Sequence, residues 1–97
     1  MDFEFYRNFI TVAETGNLTT ASKKLALAQP ALSAQIKTLE HYYGAKLIQT
    51  ARGKRQLTLT EAGEAFLGKA RQICRTEETI LLDMQSFNKK ASGTLRF

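Results

Sequence analysis

The residues from Asn17 to Gly44, NLTTASKKLALAQPALSAQIKTLEHYYG, leave a chain of this kind few ways to fold. They read as two helices joined by a tight turn. In the first, Leu18 to Leu25, apolar Leu18, Ala21 and Leu25 recur at helical spacing along one face. Small Ala21 and Ser22 let a second helix cross closely. The turn is Ala26 to Ala28, with Leu27 placed to plug into a core. The second helix begins at Gln29-Pro30, because the fixed φ of proline suits a first helical turn and its missing N–H would be unpaired there anyway. Leu32, Ile36, Leu39 and Tyr43 make its buried stripe, and Gly44 ends it in the left-handed conformation. The opposite face carries Pro30, Ser33, Ala34, Lys37 and His41: small, polar, weakly basic and free of acids. A face of that kind can enter the major groove of duplex DNA and meet base edges.

The flanks support this unit. Phe3 to Thr15 is predicted to be a helix, capped by Asp2 and with Glu4 at the dipole-favoured end of its first turn. Phe5, Phe9 and Val12 form one ridge and Tyr6, Ile10 and Ala13 another, so this helix should floor the core. Gly16 stops it, and Asn17 can cap the next. After Gly44 two short strands, within Ala45–Thr50 and Gln56–Leu59, surround a glycine-containing turn and make a hairpin. A hairpin in this position is a wing. Its tip holds Arg52, Lys54 and Arg55 with no acid. Such charges commonly just solvate a turn and guard a sheet edge; beside a recognition helix, contact with backbone phosphates is the favoured role.

Thr60 caps a last helix that runs without proline to about Lys89, with Glu61 and Glu64 in its first turn. Gly63 and Gly68 weaken it locally and mark places of close packing or bending. Phe66, Ile73, Ile80 and Phe87 recur every seven residues, Ala62, Ala70 and Met84 fill between them, and Glu77 interrupts. Roughly 30 helical residues extend about 45 Å, more than a small winged domain can cover. The stripe Phe66, Ala70, Ile73, Glu77, Ile80, Met84 and Phe87 is therefore expected to meet a second copy of the chain, with Glu77 contacting Arg71 or Arg75 of that copy. Ala91 to Thr94 reads as a linker, and Leu95 to Phe97 as the opening of a strand.

Fourteen basic and nine acidic residues leave a net charge of +5, which allows a nucleic-acid partner without requiring one. Its placement says more. Residues 1–28 are neutral, whereas residues 29–63, which include the recognition helix and wing, hold five bases against two acids. The acidic start lacks the pattern of a secretion signal, no stretch is long and apolar enough for a membrane, and the lone Cys74 offers no disulfide; a cytoplasmic protein is expected. Catalytic constellations are missing. His41 is the only histidine, no acids or thiols are spaced for a metal, and no glycine-rich phosphate loop is present. Neither an enzyme nor a cofactor or metal site is expected. Cys74 lies near Arg71 and Arg75, which could activate it as a redox sensor, but a small half-buried residue is the simpler reading.

Ala21-Ser22, Leu25, the run AQPALSAQIKTLE, Gly44, Leu47 and the later LTEAG together resemble the N-terminal domain of LysR-type transcriptional regulators of bacteria. The resemblance covers almost the whole chain from Phe5. It implies a mainly α fold: a winged helix-turn-helix of three helices plus a two-stranded wing (1–59), a long linker and dimerisation helix (60–90), and the start of a hinge (91–97) toward a separate effector-binding domain. The implied activity is sequence-specific binding of double-stranded DNA at a partly symmetric site. The implied assembly is a homodimer, or a tetramer of the full-length protein, with antiparallel linker helices. A small-molecule effector would act only through the further domain. Bases would be read by Gln29, Pro30, Ser33, Ala34 and Lys37. Phosphates would be held by Asn17, Thr19, Arg52, Lys54 and Arg55. Many members carry arginine where this chain has Ala34, whose methyl can still meet a thymine methyl. The alternative of another class is a winged-helix protein-interaction module that binds no DNA.

Overall fold

The computed structural model describes residues 2–50 and 56–91. The helices are α1 (Phe3–Thr15), α2 (Leu18–Leu25), α3 (Gln29–Tyr43) and α4 (Glu61–Ala91), with strands β1 (Ile48–Thr50) and β2 (Leu57–Leu59) between α3 and α4. The strands pair antiparallel, Ile48 opposite Leu59 and Thr50 opposite Leu57. This is the expected winged helix-turn-helix with a long following helix. The expected wing tip, Arg52, Lys54 and Arg55, and the expected strand start at Leu95–Phe97 lie outside the described residues.

Local chemistry sets the boundaries. Asp2 Oδ1 accepts the Glu4 N–H at 3.0 Å, Asn17 Oδ1 accepts the Thr20 N–H at 3.0 Å, and Gly16 and Gly44 take φ of 67° and 69°. The turn between α2 and α3 holds a surprise: its left-handed residue is Ala26, at φ 55°. Its N–H and that of Leu27 close onto carbonyls of Lys23 and Ser22, so the satisfied helix end offsets the cost of a Cβ in that region.

Phe9, Val12, Ala21, Leu32, Ile36, Leu39, Leu47 and Leu57 form the core, joined from the rim by Leu18, Leu25 and Leu27. Tyr43 departs from the expected stripe. It is 44% exposed. The last turn of α3 has reached the domain's rim, where the ring lies against Phe66 and the hydroxyl meets that of Tyr6 while staying near water. A half-buried polar pair ties α1 to α3: Asn8 Nδ2 donates to Gln35 Oε1 at 2.8 Å.

Both strands are shorter than expected, because their flanks are held by other groups. Glu40 Oε2 accepts the N–H groups of Leu47 and Ile48 at 2.8 and 3.3 Å, fixing the entry to β1 onto the side of α3. Gln56 forms an isolated bridge with Asn17, and the Leu57 N–H donates to the Gly16 carbonyl. The base of the wing is thereby pinned to the start of α2.

α4 packs along α1. Phe66 meets Phe9 edge-on, with ring centroids 4.9 Å apart, and Ala70 is fully buried. Two ion pairs at 3.3 Å, Arg7–Glu77 and Arg71–Glu14, join the same two helices. Both are largely exposed and add little stability. Beyond Glu77 the helix leaves the domain.

Candidate nucleic-acid interface

The core stripe Leu32, Ile36 and Leu39 fixes the rotation of α3, so the residues between its members face outward. Gln29, Pro30, Ala34 and Lys37 are exposed and Ser33 is half-buried. All five expected base-reading positions therefore share the outer face of one rigid helix. Its only acid, Glu40, turns its carboxylate to the amides of β1 instead. A groove of about 510 Å³ opens between this face and β1, with Ser33, Lys37, Lys46 and Thr50 among its walls. Lys46 is an exposed cation beside the site that the sequence reading did not assign.

The first turn of α2 borders the same face. Asn17 uses its side-chain oxygen as the helix cap, which leaves its NH₂ group as a donor. The Thr19 hydroxyl donates to Gln29 Oε1 at 3.0 Å, so it faces α3 as well as solvent. The unpaired amides of a helix N-terminus favour an anion here.

The expected dimer stripe splits into two parts. Phe66 and Ala70 are covered within one chain, by the α1 face, and Ala70 keeps no surface for a partner. Within the single chain Glu77 meets Arg7 and Arg71 meets Glu14. The α1 face extends along α4 as far as Ala70 and Cys74. Ile73 is half-buried. Ile80, Met84 and Phe87 are 53%, 51% and 61% exposed, and Leu81 and Leu82, which the heptad pattern passed over, are 57% and 64% exposed.

Cys74 is buried on α4 beside α1. Burial pushes its thiol up, and Glu77 and Glu78 add to that, against an opposing pull from Arg7. A redox-sensing thiol needs the reverse balance and access to solvent. Among the described residues no group of three or more histidine, cysteine or acidic side chains is placed to hold a metal ion, and no helix is long and apolar enough to cross a membrane.

The model of the bacterial regulatory helix-turn-helix proteins of the lysR family matches residues 3–64. The chain belongs to the LysR family. It is 40% identical over 95 residues to the HTH-type transcriptional regulator BsdA of Bacillus subtilis (strain 168), covering 98% of this chain and 32% of that protein. It is 42% identical over 82 residues to the Hca operon transcriptional activator HcaR of Escherichia coli (strain K12), covering 84% of this chain and 27% of that protein. The chain thus spans about a third of the length of these LysR-family relatives. Among solved structures it is similar to the BenM DNA-binding domain in complex with benA site 1 DNA, with a TM-score of 0.81 and 31% identity over 90% of this chain and 99% of that one. It is also similar to the DNA complex of the CbnR DNA-binding domain, with a TM-score of 0.74 and 34% identity over 96% of this chain and 99% of that one.

Proposed function

We propose that this chain is the DNA-binding part of a LysR-type transcriptional regulator, reading a specific double-stranded sequence in the bacterial cytoplasm. The observation that carries this is the outer face of α3. Gln29, Pro30, Ser33, Ala34 and Lys37 stand together there on a helix braced by the core, with no carboxylate aimed outward. The likeness to domains solved on DNA supports it. In this reading α3 enters the major groove and those five residues meet base edges. Asn17 and the free backbone amides that open α2 take phosphates on one side, and Arg52, Lys54 and Arg55 of the wing take them on the other. Two chains joined through the exposed end of α4 present two recognition helices to a partly symmetric site. In a full-length regulator, as dimer or tetramer, a small-molecule effector would act through a separate domain.

Titration against random duplex DNA at low and moderate salt separates this from a protein-docking module. DNA binding gives a steep salt slope. A flat response at all salt concentrations favours the docking module. Arg55→Ala should weaken binding to every sequence about equally and reduce the salt slope by roughly one unit. A changed base preference with an unchanged slope would instead make the wing a base reader.

Gln29→Ala should cost about 1–3 kcal/mol at its own base pair and little on random DNA. The fold should tolerate it, since Gln29 is exposed and the α3 N-cap Ala28 makes no side-chain capping bond. A large fall in melting temperature would show Gln29 to be structural.

A further inference from the structure

Those helix hydroxyls that bond within the described residues mostly bond backward to their own helix. Thr11 donates to the Arg7 carbonyl, Ser22 to Thr19, Thr38 to Ala34 and Thr79 to Thr76. Thr19 differs. It is the second residue of α2, so no preceding turn offers a carbonyl, and its hydroxyl crosses to α3 to donate to Gln29 Oε1 at 3.0 Å. A hydroxyl carries one proton. Given to Gln29, that proton is unavailable to a phosphate oxygen, which only accepts.

The geometry points to Thr19 as a positioning residue for base recognition: its bond to Gln29 holds that side chain in place before DNA arrives. This rests on Gln29 being a base reader. A glutamine amide can turn over by half a rotation, exchanging its oxygen and its NH₂ group. Pairing with adenine needs one of the two arrangements, with the NH₂ donating to N7 and the oxygen accepting from the N6 amino group. The Thr19 proton takes one lone pair of Oε1 and leaves the second for that amino group. A hydroxyl accepts as well as donates, so the contact can hold the Gln29 side chain with either end of its amide toward Thr19, and rotamers that lose this contact are depopulated before DNA arrives. Apparent affinity scales with the fraction of competent conformer. Thr19 therefore contributes to discrimination at the Gln29 base pair without touching DNA. The link also spans α2 and α3, so the two first turns of the motif move as one.

The test is a double-mutant cycle on duplexes that vary only at the base pair sensitive to Gln29→Ala, with affinities and salt slopes measured for each. Thr19→Val keeps the branched shape and removes the donor. It should reduce the preference for adenine about three- to tenfold, leaving affinity for random DNA and the salt slope unchanged. In the Gln29→Ala background it should have no further effect, and Thr19→Ser should restore most of the preference. A uniform loss on all sequences with a shallower salt slope makes Thr19 a phosphate contact and overturns the proposal. So does an undiminished effect in the Gln29→Ala background, or full discrimination in Thr19→Val while Gln29→Ala loses it. If Gln29→Ala leaves base preference intact, the base-reading role of Gln29 falls first and the role of Thr19 with it. Thr19→Ala, run in parallel with melting curves, keeps the cycle readable should valine disturb the turn.

Discussion

Replacing Gly63 with alanine is expected to lower the melting temperature by more than about 12 °C, a loss of at least about 3 kcal/mol in a domain of this size. Gly63 lies in the first turn of α4, where that helix crosses the backbone leading into β1. A Cβ there would stand 2.0 Å from the Leu47 carbonyl oxygen, 2.9 Å from its carbon and 3.2 Å from the Leu59 Cβ. Leu47 has nowhere to go. Its side chain is 2% exposed in the core, its N–H is held by Glu40, and its carbonyl accepts the Thr60 N–H at 3.0 Å. Thr60 locks the crossing further, donating its hydroxyl to the Lys46 carbonyl at 2.6 Å and accepting the Gly63 N–H at 2.9 Å. Gly68, one and a half turns along the same helix, is the control. A Cβ there meets nothing within 4 Å. Gly68→Ala should raise stability by roughly 1 kcal/mol through helix propensity alone. Thermal melts at one protein concentration read both. Equal responses of the two glycines would mean that α4 does not cross β1 this closely.

That contrast marks what could be read from the chain in advance. Helix boundaries were legible because their signals are local: Asp2, Asn17 and Thr60 at the starts, Pro30 inside the start of α3, Gly16 and Gly44 at the ends. The outer face of α3 was legible because one apolar stripe fixes the helix's rotation. What stayed hidden depends on contacts between residues far apart in sequence. Nothing near Asn8 announces Gln35, and nothing near Glu40 announces that it will hold the amides of Leu47 and Ile48. The two glycines of α4 look alike in sequence, and only the crossing of β1 separates them. Ala70 sits in phase with the heptad stripe, yet α1 claims it, because a period reports which side of a helix is apolar and not which neighbour covers it. Thr19 was assigned to phosphate by its place at a helix start. Its bond to Gln29 became visible only once the two first turns lay side by side.

Ile80→Asp is expected to give a folded monomer. Past Glu77 no element among the described residues accompanies α4, and Ile80, Leu81, Leu82, Met84 and Phe87 are all more than half exposed in the single chain. Each would forgo roughly 1.5–3 kcal/mol by staying in water. Ile80 and Met84 continue, one turn apart, the apolar face that begins at the half-buried Ile73, and with Phe87 they offer a surface that a second α4 can match. In a two-fold dimer a substitution acts twice. Losing one buried isoleucine from each chain, at the lower estimate, removes roughly 3 kcal/mol and raises the dissociation constant about a hundredfold; a carboxylate buried on each side raises it further. The winged domain should keep its melting behaviour, because Ile80 takes no part in the core around Phe9 and Leu32. Sedimentation reads the assembly and duplex titration reads its consequence. Binding to a duplex with two half-sites should fall toward the level of one, while affinity for a single half-site stays nearly unchanged. A variant that remains dimeric would place the partner surface elsewhere, with the groove beside Phe3, Ile73 and Thr76 the next to test. A variant that becomes monomeric yet still binds two half-sites as tightly as the parent would mean that α4 joins the chains without setting the spacing of the recognition helices.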